Sequence, residues 1–366
     1  MRPLAAPLLR AFLPGAVLLA ILLLQPGDAQ PPSTFASRIA ALSEAGGYFD
    51  TDNLISNERS YLQVLPELRR AGIQGGAYIG VGPDTNFTYI AAMRPDIAFI
   101  IDIRRDNLLL HLLFKALFDL SATRVEYLAY LLGRPVPPAV DGWRTAPIDR
   151  LVAYLQRPAI DPSAVALLRG RLHDAIKRTG VALSSEDVAT IGRFHQRFMD
   201  EGLELRFNSI GRPPRYDYPT YRDLLLETDP TGRHGSYATS DESFQFVKSL
   251  HTRHLIIPVV GDLSGPSALA SIARLLGSRG ARLSAFYTSN VEFYLYGQGT
   301  FPRFVANLEL LPRTKSSVII RSVFGRYASS ARRDGSSSHL QSIDDLVTGA
   351  ARGRFRSYGE LVRSQQ

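Results

Sequence analysis

The chain has 366 residues, 45% of them hydrophobic and 21% charged, with a formal net charge of +8 and no cysteine. This length and balance suit a globular protein with a sizeable core, in one large domain or two small ones. The lack of cysteine excludes disulfides, thiol catalysis, cysteine metal sites and a lipid-modified N-terminus.

The N-terminus reads as a targeting segment. Arg2 and Arg10 precede an apolar run from Ala11 to Leu24, and Gly27-Asp28-Ala29 offers a small-residue cleavage site before Gln30. Residues 1–29 therefore look like a secretory signal peptide. The apolar run is short for a membrane span, and Pro14 and Gly15 interrupt it. The expectation is export to the periplasm or the exterior, with membrane anchoring through an uncleaved segment as the alternative. There are no twin arginines, so export of the unfolded chain is expected. Residues 30–74 follow as an N-terminal helical cap, with helix-spaced apolar positions in Phe35 to Leu42 and Tyr61 to Arg70.

From Gly75 to Asn107 the chain reads strand, glycine turn, helix, strand, acidic residue. Ala77 to Val81 are apolar and β-prone, and Gly80-Val81-Gly82-Pro83 breaks the strand. Thr85 to Met93 suits a short helix that Pro95 stops. Ile97 to Ile103 is a second buried strand, with Asp102 at its carboxyl end. This is the opening βαβ half of a nucleotide-binding sheet. Gly80 and Gly82 allow close backbone approach to a ligand. The amides of the following helix, near Asp84 and Asn86, favour an anion or carboxylate. Asp102 can accept both hydroxyls of a ribose. The ribose argument fits a dinucleotide and S-adenosylmethionine (SAM) equally.

Leu108 to Leu132 is helical in two pieces split near Ser121, and residues 139–200 carry further helices, including Ala164 to Thr179 and Glu186 to Met199. Residues 108–245 thus form a helical and loop insertion. Its part from 205 to 240 is rich in glycine and proline and holds Tyr216, Tyr218, Tyr221 and Tyr237, which suits a functional lid and a disordered loop equally. The sheet resumes with Leu255 to Val260, which ends in Gly261-Asp262, then a helix capped by Ser264 or Ser267. Arg282 to Thr288 ends in Ser289-Asn290, and Val318 to Phe324 is a late strand. The expected fold is α/β, with a mostly parallel doubly wound, Rossmann-like sheet over residues 75–328. A basic C-terminal segment, 329–366, follows. Residues 313–366 hold ten basic and four acidic side chains, a net of +6, which an anionic membrane surface would attract. Few aromatics are interleaved there, so nucleic acid is not the expected partner.

Ligands of such sheets bind at the carboxyl ends of the strands. The candidate site is therefore Gly80, Gly82, Asp84, Asn86, Asp102, Asp262 and Asn290 for a small-molecule cofactor, with Glu292 as a general base if burial raises its pKa. His251 and His254 lack a nearby carboxylate in sequence, so no metal is expected. The order Asp262-Leu263-Ser264-Gly265 is not a nucleophile elbow, so hydrolase chemistry is unsupported.

IGVGPDTNFTYI followed by IDIRRDNL resembles the first two motifs of class I SAM-dependent methyltransferases, with Asp84 where a further glycine is common. Taken with VVGDLSGPSAL and FYTSNVEFYL, the chain resembles an uncharacterised bacterial family with a methyltransferase-like Rossmann fold, over most of residues 40–360. The resemblance implies the fold, and SAM as cofactor with an unknown methyl acceptor. Two alternatives stand beside it: an exported, non-catalytic protein that binds a ligand or a membrane, and a dinucleotide-dependent oxidoreductase. Export conflicts with a cofactor made in the cytosol. Either the start codon lies elsewhere, the fold has been reused, or the ligand is another molecule.

Overall fold

The computed structural model describes residues 34–213, 215–328 and 335–364. The segment read as a signal peptide lies outside them.

Among the described residues two α-helices precede the sheet, α1 (Phe35–Leu42) and α2 (Leu65–Arg70). The first strands and their helix follow as β1 (Ala77–Gly80), α3 (Thr85–Met93) and β2 (Ile97–Asp102). Every residue of β1, and of β2 up to Ile101, is buried, as expected of parallel strands covered on both faces. Helix α3 ends where Arg94 turns left-handed (φ 51°) and Pro95 follows.

Seven helices separate β2 from β3: α4 (Arg105–Leu120), α5 (Arg124–Leu132), α6 (Ile148–Leu155), α7 (Pro162–Lys177), α8 (Ser185–Glu201), α9 (Tyr221–Leu226) and α10 (Asp241–Thr252). Local chemistry sets their ends. Thr123 with Glu126, Ser184 with Asp187, and Thr220 with Asp223 each form a reciprocal capping box, at the starts of α5, α8 and α9. Asp161 caps α7, which opens on Pro162.

The sheet resumes with β3 (Ile256–Val260), α11 (Ala268–Ser278), β4 (Leu283–Ser289), α12 (Val291–Gly297), α13 (Phe301–Leu310) and β5 (Arg313–Phe324). The chain then runs through β6 (Ser336–Ser342), α14 (Ile343–Ala351) and α15 (Tyr358–Arg363). Strand order is β3-β2-β1-β4-β5-β6. The first five strands are parallel, and β6 pairs antiparallel with β5.

Order reverses at β1. Connections run outward to β2 and β3, then cross back to β4 and β5. With right-handed crossovers, that reversal puts the two sets of helices on opposite faces. Accordingly α3, α4 and α10 pack on one another, while α11, α13 and α14 form a second layer. Helix α1 packs on β3 and α11.

Strand β3 lies at the sheet edge, which accommodates Pro258 within it. The preceding chain covers that edge: the Glu44 amide donates to the Val260 carbonyl, and the Val260 amide donates to Ser43 Oγ. The described residues of the segment read as a basic C-terminus, 335–364, are woven into the fold. Ser336 to Ser342 complete the sheet, and Ile343, Leu346, Val347, Leu361 and Val362 enter the core. Arg352, Arg354 and Arg356 stay on the surface.

Candidate functional site

A cavity of about 700 Å³ lies across the carboxyl ends of all five parallel strands, where the strand order reverses. Val81, Gly82 and Pro83 form its wall after β1, Asp102 to Arg104 after β2, and Gly261 to Leu263 after β3. Ser289 to Val291 follow β4, and Phe324 to Tyr327 follow β5. Residues of the 49–58 loop add to the lining, as do Phe207, Ser209, Arg212, Arg215, Asp217 and Tyr218.

Four of the residues expected from sequence face this space together: Gly82, Asp102, Asp262 and Asn290. Gly82 holds φ at 82°, a left-handed conformation that a side chain would strain. Its carbonyl accepts from His111 Nε2 at 2.9 Å. A carbonyl only accepts, so Nε2 carries the proton. Burial pushes the His111 pKa down to about 4, against the pull of that hydrogen bond, so the imidazole is neutral at pH 7. Helix α4 thus pins the glycine turn from below.

Asp102 stands at the end of β2, but its carboxylate is engaged. Arg104 grips both oxygens, with Nε to Oδ1 at 3.0 Å and Nη2 to Oδ2 at 2.8 Å. The Arg104 amide adds a third bond, and the same guanidinium reaches the Thr51 carbonyl at 2.7 Å. The pair is a stiff, nearly buried wall element that ties the 49–58 loop to the sheet. Asp262 closes a local turn, accepting from the Ser264 amide and hydroxyl at 2.8 and 2.9 Å. Asn290 precedes α12 without capping it.

The cap expected from Ser264 or Ser267 on α11 is supplied instead by Glu44. Its carboxylate accepts from the amides of Asp262, Ser267 and Ala268, each at 2.9 Å. Desolvation pushes its pKa up, but these hydrogen bonds outweigh it and hold the group below the usual carboxylate range. The anion-binding end of α11 is therefore filled by the chain itself.

The other four candidates lie outside the cavity. Gly80 ends β1, where a Cβ would run into Asn86 Oδ1 and the Tyr78 hydroxyl. Asn86 is fully buried and staples the glycine turn: its Nδ2 donates to the Val81 and Pro83 carbonyls at 2.8 and 2.7 Å, and its Oδ1 accepts from the Tyr78 hydroxyl at 2.8 Å. Asp84 turns toward the insertion and accepts from the hydroxyls of Tyr221 (3.1 Å) and Tyr237 (3.2 Å). Glu292 is bound to Arg321 through both carboxylate oxygens, with both side chains fully buried. It presents no oxygen to the cavity where it was expected as a general base.

The cavity also holds groups that sequence reasoning missed. Glu58 is buried under it and accepts from the hydroxyls of Tyr287 (2.6 Å), Ser322 (2.5 Å) and Ser289. It comes from a loop about 230 residues away in sequence, and nothing in NERSY signals that meeting. About a quarter of the lining residues are aromatic, against 10% of the chain. The tyrosine-rich loop divides in two. Tyr218 lines the cavity, while Tyr221 and Tyr237 anchor Asp84 behind the glycine turn. The two histidines considered for a metal lie apart from the cavity, His251 stacked on Phe118 (4.6 Å) and His254 on Phe35 (5.0 Å). Among the described residues no cluster of three or more His, Asp or Glu side chains could hold a metal ion, and no helix is long and apolar enough to cross a membrane.

No curated protein matches the chain. A family model described as a domain of unknown function matches residues 53–132 and 217–357, a match that includes Gly82, Asp102, Asp262 and Asn290 and leaves out α6 to α8. The chain belongs to that family, Domain of unknown function (DUF7790).

Proposed function

We propose that this is a Rossmann-like protein whose cavity takes a nucleoside-type ligand of the SAM class, and that its reaction is methyl transfer to a second small molecule. One observation carries the reading. The cavity sits where strand order reverses, and it is walled by a side-chain-free turn at Gly82 and by the carboxylate that ends β2. Its volume of about 700 Å³ falls in the usual range for small-molecule sites.

The residues present fit such a ligand. Gly82 lets a ligand lie against the backbone. Asp102 retains acceptor capacity beside the three bonds from Arg104, since a carboxylate offers about four lone-pair sites. Asn290 adds a polar group on the β4 side. SAM supplies an electrophilic methyl group, so the chain has mainly to bind, orient and exclude water.

The test is calorimetric titration of the full chain with SAM, S-adenosylhomocysteine and NAD, repeated on Asp102→Asn. The expected result is saturable SAM binding that weakens about tenfold or more when the carboxylate is lost. Melting curves of the variant separate this from unfolding, because Arg104 loses its partner too. SAM affinity unchanged in a folded Asp102→Asn would sink the assignment, and preference for NAD would favour a dehydrogenase.

A second reading, an exported ligand-binding protein without catalysis, draws on one feature. The cavity carboxylates Asp50, Glu58, Asp102, Asp217 and Asp262 all already accept from a neighbouring arginine or hydroxyl. Saturable SAM binding without methyl transfer to any acceptor would favour it. So would recovery of the processed chain outside the cytosol.

A further inference from the structure

The two sides of the cavity differ in chemistry. The side built on β1 to β3 is backbone, aliphatic side chains, the Asp102–Arg104 pair and Asp262 in its turn with Ser264. The side built on β4 and β5 is a ladder of rings. Phe49 meets Tyr294 edge-on at 4.8 Å, Tyr294 meets Phe293 at 5.4 Å, and Phe293 meets Tyr358 at 5.4 Å. Tyr358 then meets Tyr327 at 5.1 Å, and the Arg326 guanidinium lies 4.9 Å from the Tyr327 ring centre. All six residues face the cavity.

Two facts make this ladder more than internal packing. Phe293 keeps 48% of its surface exposed, so ring area remains for another molecule to cover. The charges of the other mouth arginines are already met, Arg212 by Asp50 and Arg215 by Asp217. Arg326 is exposed, and among the described residues it pairs with no carboxylate; its hydrogen bond goes to the Tyr327 hydroxyl at 2.9 Å. A guanidinium stacked on a ring keeps its donors in plane, ready for a carboxylate.

The geometry points to an aromatic carboxylate as the second ligand of the cavity, its ring seated against Phe293 and Tyr294 and its carboxylate on Arg326. This rests on the cavity being a ligand site and names the acceptor class for it. The ring would cover apolar area that the fold leaves open. The carboxylate would meet the one mouth arginine whose charge the described residues leave unpaired.

Ligand-observed NMR and calorimetric titration of the full chain test this with three probes: 4-hydroxybenzoate, the uncharged 4-hydroxybenzyl alcohol, and the non-aromatic cyclohexanecarboxylate. The benzoate should bind saturably, and each of the others at least about tenfold more weakly. Arg326→Gln should weaken the benzoate about tenfold and leave the alcohol unchanged, and Phe293→Ala should weaken both. Both side chains are exposed enough for the variants to fold. Equal binding of the three probes, no saturation by the benzoate, or benzoate affinity insensitive to Arg326→Gln would overturn the proposal. SAM titrated on the same samples keeps the two assignments apart. Loss of SAM binding with the benzoate pattern intact sinks only the cofactor. Intact SAM binding without the benzoate pattern sinks only the acceptor class.

Discussion

Glu292→Ala should cost the protein about 3–5 kcal/mol, because it strands a guanidinium in the core. Arg321 and Glu292 are both fully buried and bound through two nitrogens and two oxygens, and Gln341 Oε1 takes a further bond at 3.0 Å. Removing the carboxylate leaves the arginine no water to turn to. The pair itself is a different matter. Two ions must be desolvated to form it, and apolar residues of similar volume often replace such a pair at no loss. The double variant Glu292→Leu/Arg321→Met should therefore recover most of what the single change loses. Urea denaturation of the three proteins checks this. A loss below about 1 kcal/mol in Glu292→Ala would mean that water reaches the pair. Affinity for the proposed ligand in the folded double variant should match the parent, since Glu292 stands apart from the cavity.

Asp84→Asn should do the opposite, and only at neutral pH. Burial pushes the Asp84 pKa up from 3.8 to about 6, and the hydroxyls of Tyr221 and Tyr237 only partly counter it. A carboxyl raised in the folded state favours folding while it is protonated. That contribution is full below about pH 4 and is lost as pH rises through about 6. A shift of about two units corresponds to about 3 kcal/mol carried against folding at pH 7.5. Asparagine is neutral throughout, and its Oδ1 can still accept from both tyrosines. The variant should match the parent near pH 4 and become more stable than it by up to about 3 kcal/mol at pH 7.5. Melting temperatures of both proteins at pH 4.5, 6.0 and 7.5 give the answer. Parallel curves would show that Asp84 titrates normally.

The first three parallel strands could be read from sequence because each is a largely apolar run bounded by a breaker. Ile97 to Ile103 is observed as Ile97–Asp102, Leu255 to Val260 as Ile256–Val260, and Thr85 to Met93 is the helix α3 as expected. Strand β6 escaped because SSSHLQS has no apolar alternation. Ser336, Ser337 and Ser338 are buried all the same, and Ser338 bonds outward: its Oγ lies 2.9 Å from Ser60 Oγ and 3.1 Å from Ser322 Oγ, and its amide donates to Gln63. Periodicity cannot show a strand held by hydroxyls. Part of the cavity lining was legible at the strand ends, which gave Gly82, Asp102, Asp262 and Asn290. Whether a carboxylate faces the cavity or a buried arginine depends on pairings such as Glu292 with Arg321, and sequence order does not reveal these. Arg104 is two residues from Asp102, yet only the turn geometry shows that it grips both oxygens of the carboxylate.

The layout also sets an order of assembly. Residue Ala77 meets Ile97 across β1 and β2, a local pairing that can form early. The other side of β1 waits: Gly80 faces Tyr287, and the Val81 amide donates to the Tyr287 carbonyl at 3.1 Å. That partner is made roughly 200 residues later. At typical synthesis rates of about 5–20 residues per second, the glycine turn stands half-built for on the order of 10 s or more. A growing chain in that interval has the cradle without its far wall.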